Sequence, residues 1–183
     1  MRGWCSAQGR NWVITRAYGG HYFSPEQAVW FDALRYTLPD DKQQRAVALA
    51  ALIQATSECA AAPGHTAQPF QPTKGAKPFL KDAWQRDVPT RVKNALLLLS
   101  ATCAKKTGFA AVRDANRAAR TLKQGDLVFV DPPYSGVHYS RFYHVLETIA
   151  NGKCGTVSGT DDIPQENFDP PPITACRPNR LML

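Results

Sequence analysis

Residues 125–134 read Gly-Asp-Leu-Val-Phe-Val-Asp-Pro-Pro-Tyr, and the class of fold turns on them. Asp126–Val130 reads DLVFV, a short, continuous apolar run after Gly125. Such a run, bounded by turn residues, suits a strand buried on both faces of a parallel sheet. Pro132 and Pro133 end it, because proline cannot continue a central ladder. The pattern predicts an α/β chain whose strand runs into a stiff turn. That turn lies where open α/β sheets place their ligands, at the carboxyl end of a strand.

The turn has a definite chemistry. Two prolines fix φ and remove backbone donors, so carbonyl acceptors remain on a rigid segment. Asp131 supplies a second acceptor and Tyr134 a flat aromatic face. Two fixed acceptors beside a ring suit a planar base with an exocyclic amino group. Holding both N–H atoms draws the nitrogen towards a tetrahedral form, whose lone pair can attack an electrophilic methyl group. Positioning and fixed dipoles suffice for this, with no covalent enzyme intermediate. The competing reading of the same residues is a Pro-rich turn after a strand.

Working upstream, helices dominate. Ser24, Pro25 and Gln27 have the spacing of a capping box with proline at the first helical position. Ala28, Phe31, Leu34 and Leu38 continue one face until Pro39. Asp40 or Asp41 can cap the next helix, which runs to Pro63-Gly64. Trp30 and Phe31 read as core. Further helices are expected over Thr90–Cys103, Ala115–Leu122 and Phe142–Ala150, and a short strand over Phe109–Val112. Asp114 is open to two readings, a helix N-cap or a ligand contact. The residues after Asn151 are Pro-rich and lack apolar periodicity, which predicts a poorly ordered tail.

Composition narrows the function classes. Lys plus Arg is 22 and Asp plus Glu is 15, a net charge of +7 that favours polyanionic partners. No run approaches the roughly 20 apolar residues of a membrane span, so no membrane is expected. The start lacks the apolar core of a signal peptide. The five cysteines are scattered without a CxxC pair, which argues for reduced thiols in the cytoplasm and against a metal site.

The strand–DPPY segment resembles motif IV of the amino-group DNA methyltransferases. Three stretches are similar to the Dam-type adenine-specific group: GDLVFVDPPYSGVHYSRFYHVLETIA, HYFSPEQAVWFDALR with its Asp-x-x-Arg, and Asp114-Ala115. The resemblance spans roughly residues 18–150. It implies a partial Rossmann-like methyltransferase sheet with a helical target-recognition region. It implies methyl transfer from S-adenosylmethionine to the N6 amino group of an adenine flipped out of double-stranded DNA. Asp131 and the Pro132 carbonyl would hold that amino group, Pro133 would fix the turn and Tyr134 would stack on the base. Asp114 would touch the cofactor. Tyr139, Arg141, Tyr143 and His144 would line or support the mouth of the site. Lys74, Lys77, Lys81, Arg86, Arg91 and Lys93 would be DNA contacts, or merely a solvated face.

The implied layout is an irregular stretch 1–24, a helical recognition region 25–107, a partial catalytic region 108–151 and the tail 152–183. The family's glycine-rich cofactor motif has no counterpart, since Ala17-Tyr18-Gly19-Gly20 precedes a helix instead of following a strand. A truncated or frameshifted member is the expectation, with a partner polypeptide as one source of the missing lobes. The alternative is a catalytically inactive remnant that binds DNA.

Overall fold

Side-chain caps from Ser24, Asp41, Asp87 and Asp114 mark where four helices of this computed structural model begin. It describes residues 12–102, 105–106, 108–131, 140–154, 157–158 and 163–164. Helix α1 covers Val13–Tyr18, α2 Pro25–Tyr36, α3 Lys42–Cys59, α4 Lys77–Trp84, α5 Val88–Ala101, α6 Ala115–Ala119 and α7 Ser140–Asn151. The predicted box on α2 forms: Ser24 Oγ accepts from Gln27 N–H at 3.1 Å, and Gln27 Oε1 accepts from Ser24 N–H at 3.0 Å. Gln27 also donates from Nε2 to the Ala83 and Arg86 carbonyls, at 2.8 and 2.9 Å, and so pins the α4–α5 corner. Asp41 caps α3 and Asp87 caps α5.

Helix α1 lies inside the stretch expected to be irregular. Its cap comes from far along the chain. Asp32 on α2 accepts from Ile14 N–H at 3.0 Å, from Thr15 N–H at 2.7 Å and from the Thr15 hydroxyl at 2.7 Å.

Helix α3 is the centre of the bundle and packs on α2, α5 and α7. The core joins Ile14, Tyr18, Tyr22, Phe23 and Phe31 to Leu52, Cys59, Val88, Val92, Val145 and Ile149. Each fully buried large side chain adds about 1.5–3 kcal/mol relative to exposure. Phe31 is core, as its spacing predicts, but its neighbour Trp30 faces outward and is 43% exposed.

The expected Rossmann-like sheet is not seen among the described residues. Among the described residues the only strand pairing outside one isolated bridge is a two-residue antiparallel hairpin, Val157–Ser158 with Ile163–Pro164. Leu127–Val130 and Phe109–Val112 are not strands, and no helix covers them. Leu127, Phe129 and Val112 are 101%, 89% and 107% exposed. The physical reason is that a strand exists only through its neighbours. A parallel strand needs ladder partners on its edges and cover on both faces, and the described residues offer neither. The described part is therefore a helical bundle. The expected disordered tail falls, beyond Pro164, outside the described residues.

Candidate target-base and DNA-binding region

Helix α7 follows the Asp-Pro-Pro-Tyr segment, and it is the best-anchored element of the site. His144, Val145, Thr148 and Ile149 form its buried face, while Arg141, Tyr143 and Glu147 point outward. Three sets of contacts hold it. At the first turn, the Phe142 carbonyl accepts from Thr66 N–H at 3.1 Å and from the Thr66 hydroxyl at 2.5 Å. The Thr66 carbonyl in turn accepts from the Tyr22 hydroxyl at 2.8 Å.

In the middle, the Tyr18 hydroxyl lies 2.9 Å from Thr148 Oγ1. The rings of Tyr18 and Tyr22 each sit 5.7 Å from the His144 ring. Burial pushes the Tyr18 hydroxyl far above its ordinary pKa, so it acts as a neutral hydrogen-bonding group. At the carboxyl end, Arg35 donates from Nε to the Ile149 carbonyl at 2.5 Å and from Nη2 to the Ala150 carbonyl at 3.0 Å. A cation at a helix carboxyl terminus also meets the negative end of the macrodipole.

The Asp-x-x-Arg pair thus serves two helix ends from one face of α2. Asp32 caps the start of α1, and Arg35 caps the end of α7. The sequence marked this stretch through its resemblance but not its purpose. His144 is fully buried, with Nδ1 3.1 Å from the Arg141 carbonyl. It supports the site from the core, and no role in proton transfer follows from its position.

Asp131 is exposed at the end of the extended run. Pro132, Pro133, Tyr134 and Tyr139 lie outside the described residues. The turn before the run does form: Asp126 Oδ2 accepts from Lys123 N–H at 2.8 Å, with Gly125 at φ 94°. That left-handed conformation is one glycine adopts freely.

For Asp114 the capping reading is realised, since its carboxylate accepts from Arg117 N–H at 2.9 Å at the start of α6. Gly19 is used for close packing. A Cβ there would lie 2.7 Å from the Thr15 carbonyl oxygen and 3.4 Å from Ala28 Cβ. Both positions are taken up by local structure, Asp114 by the α6 cap and Gly19 by packing against α2.

The basic residues divide into two groups. Arg86 donates to the Glu58 carbonyl and pairs with Asp82 at 2.6 Å, and Arg91 pairs with Glu58 at 3.2 Å. Both arginines brace the junction of α3, α4 and α5. Lys74, Lys77, Lys81 and Lys93 are exposed, and Arg141 is exposed on α7.

The anchored helix, with the Asp131 segment leading into it, lies within the reach of a known family. The family model for D12 class N6 adenine-specific DNA methyltransferase matches residues 45–163. The chain belongs to that family. A 38-residue stretch is 47% identical to the modification methylase LlaI of Lactococcus lactis subsp. lactis, covering 21% of this chain and 6% of that protein. The match therefore reaches only a small part of the relative's length. No solved structure matches the chain. D12 class proteins are generally dependent on S-adenosylmethionine. No helix among the described residues is long and apolar enough to cross a membrane.

Proposed function

We propose that this D12 class chain serves N6 methylation of adenine in double-stranded DNA as the part that holds the target base and carries the DNA. The observation that supports it is the anchoring of α7. Thr66, Tyr18 and Arg35 fix that helix along its length, and so fix one end of the segment that starts at Asp131. A base-holding loop needs such a foundation, because misplacement by an ångström removes much of the gain from positioning. In this reading the Asp131 carboxylate and the Pro132 carbonyl accept the two N6 hydrogens, Pro133 stiffens the turn and Tyr134 stacks on the extruded base. Tyr139 and Arg141 flank the opening, with Arg141 on a phosphate. The methyl donor expected of the family is S-adenosylmethionine.

A second reading is a non-catalytic DNA-binding chain. The exposure of Leu127 and Phe129 favours it, since the run leading into Asp131 forms no strand and meets no sheet among the described residues. Labelled methyl transfer to adenine-containing duplex, with calorimetric titration of S-adenosylmethionine, separates the two. The first reading expects transfer that falls about 100-fold or more in Asp131→Ala, with duplex affinity nearly unchanged. Undiminished transfer in Asp131→Ala overturns the assigned roles. Duplex binding without transfer or cofactor heat leaves the second reading.

A further inference from the structure

Residues 108–131 form an arm that the core does not cover. Every residue of it is exposed except Ala118, which is half-buried. The arm carries two apolar runs in non-helical backbone, residues 109–112 and 127–130. Phe109 is 80% exposed and Val130 72%. Apolar side chains gathered in the open in this way mark an interaction surface.

The charges beside the runs decide what pairs with them. Run 109–112 lies between basic residues, Lys105 and Lys106 before it and Arg113 after it. Run 127–130 lies between Asp126 and Asp131. Laid antiparallel on its own copy in full overlap, 127–130 puts Asp126 opposite Asp131 at both ends. Laid on its own copy in the same way, 109–112 brings Arg113 diagonal to Lys106. Like charges so placed destabilise a ladder. The mixed pairing has the opposite character. With Phe109 opposite Val130 and Val112 opposite Leu127, Arg113 faces Asp126, and Lys106 lies diagonal to Asp131. Ala110 and Ala111 then face Phe129 and Val128, so small residues meet large ones.

Inside one copy this pairing is not made, since neither run is a strand. The connector, residues 113–126, is long and carries α6. Connectors of that kind join parallel strands, and a parallel pair needs cover on both faces. An antiparallel ladder tolerates water on one face.

We propose that two copies of the chain exchange these arms, with 109–112 of each antiparallel to 127–130 of the other. The product is a closed twofold dimer with two identical ladders. Arg113 leaves its place over the Phe109 ring, 5.5 Å from the centroid, for Asp126 of the other copy. The apolar side chains of both arms bury on the order of 1,000 Å², the low end for a specific interface, so the dimer dissociates at micromolar concentration. Neither DNA nor methyl transfer enters the argument, so the inference stands apart from the proposed activity.

Sedimentation velocity of the full chain from about 1 to 200 µM tests it, with Arg113→Asp and Asp126→Arg run alone and as an equal mixture. Circular dichroism checks that the bundle keeps its helices, since both positions are exposed. The unmodified chain should pass from one to two chain masses. Each variant alone sets like charges opposite each other in both ladders, and should dissociate at least about tenfold more readily. Mixed, each variant offers the other an opposite charge at both ladders. The dimer should then return to within about fivefold of the original affinity, the lost bond from Lys123 N–H to Asp126 accounting for the remainder. Mixing cannot repair a pairing made inside one copy. A chain monomeric throughout, a mass that climbs beyond two chains, a dimer indifferent to both substitutions, or variants that fail to rescue each other would each overturn the proposal.

Discussion

Replacing Arg35 with alanine should loosen the helix that follows the base-holding segment. The guanidinium makes two charge-assisted hydrogen bonds, to the Ile149 and Ala150 carbonyls. Such bonds contribute about 1.5–3 kcal/mol each, and the favourable interaction with the helix dipole adds up to about 1 kcal/mol. Water reaches a half-exposed side chain and takes over part of the carbonyls' bonding. The net loss is therefore about 2–3 kcal/mol. At about 2–4 °C per kcal/mol for a chain of this size, the melting temperature should fall by about 5–10 °C.

Far-UV circular dichroism on heating measures that shift. Hydrogen exchange read along Val145–Asn151 shows whether the loss is centred on α7. Arg35→Lys separates the two contributions, because lysine keeps the charge but not the planar fork, and should recover about a third of the loss. A melting temperature within about 1 °C of the unmodified chain in Arg35→Ala, with α7 exchange unchanged, would refute the assignment of Arg35 as the clamp of this helix.

Two more predictions concern the same face of α2. Gly152 has φ 67°, and a Cβ there would lie 2.5 Å from Arg35 Nη2. Gly152→Ala should thus cost about 1 kcal/mol for the left-handed backbone, plus most of the Arg35 clamp. In an Arg35→Ala background it should cost only the backbone part, so a double-mutant cycle in urea should read a coupling of about 2 kcal/mol; additive effects would contradict this geometry. Burial raises the Asp32 carboxyl above its ordinary value of 3.8, against the opposing hydrogen bonds from Thr15 and Ile14. The folded chain then holds this proton more tightly than the unfolded chain. The contribution to stability is complete below about pH 3.8 and fades as pH rises through the raised value. Asp32→Asn should remove that slope and cost about 1–2 kcal/mol at neutral pH, because an amide nitrogen cannot accept from Thr15; an unaltered pH profile in urea melts would count against it.

The helices with local caps were legible in the sequence. Ser24 and Asp41 lie next to the turns they cap, and Asp114 does the same for α6. Helix α1 was not legible, because its cap is Asp32, reached only after α2 folds back. A six-residue helix with Ile and Thr in it has little propensity of its own. The apolar run ending at Val130 was read as a strand buried on both faces, and it is neither a strand nor buried, because strand formation depends on neighbours that no local pattern contains. The clamp on α7 was hidden for a similar reason. Its partners, Tyr18 with Thr148 and Arg35 with Ile149, lie 130 and 114 residues apart. The basic residues divided on a point that composition cannot express. Arg91 reaches the Glu58 carboxylate on another helix and Arg86 the Asp82 carboxylate four residues back, while Lys74 and Lys77 have no acid within four residues in sequence.

The exposed run 127–130 also bears on how the chain behaves in a tube. Four apolar residues with open backbone groups form a template onto which a second copy can pair edge to edge. Natural sequences restrain such segments with charged gatekeepers, and here Asp126 and Asp131 stand at either end of the run. Asp131 therefore has a colloidal duty besides the chemical one proposed for it. Any substitution that removes its charge also removes one of the two brakes on self-association. Loss of activity in such a variant has meaning only for protein that light scattering shows to be monodisperse.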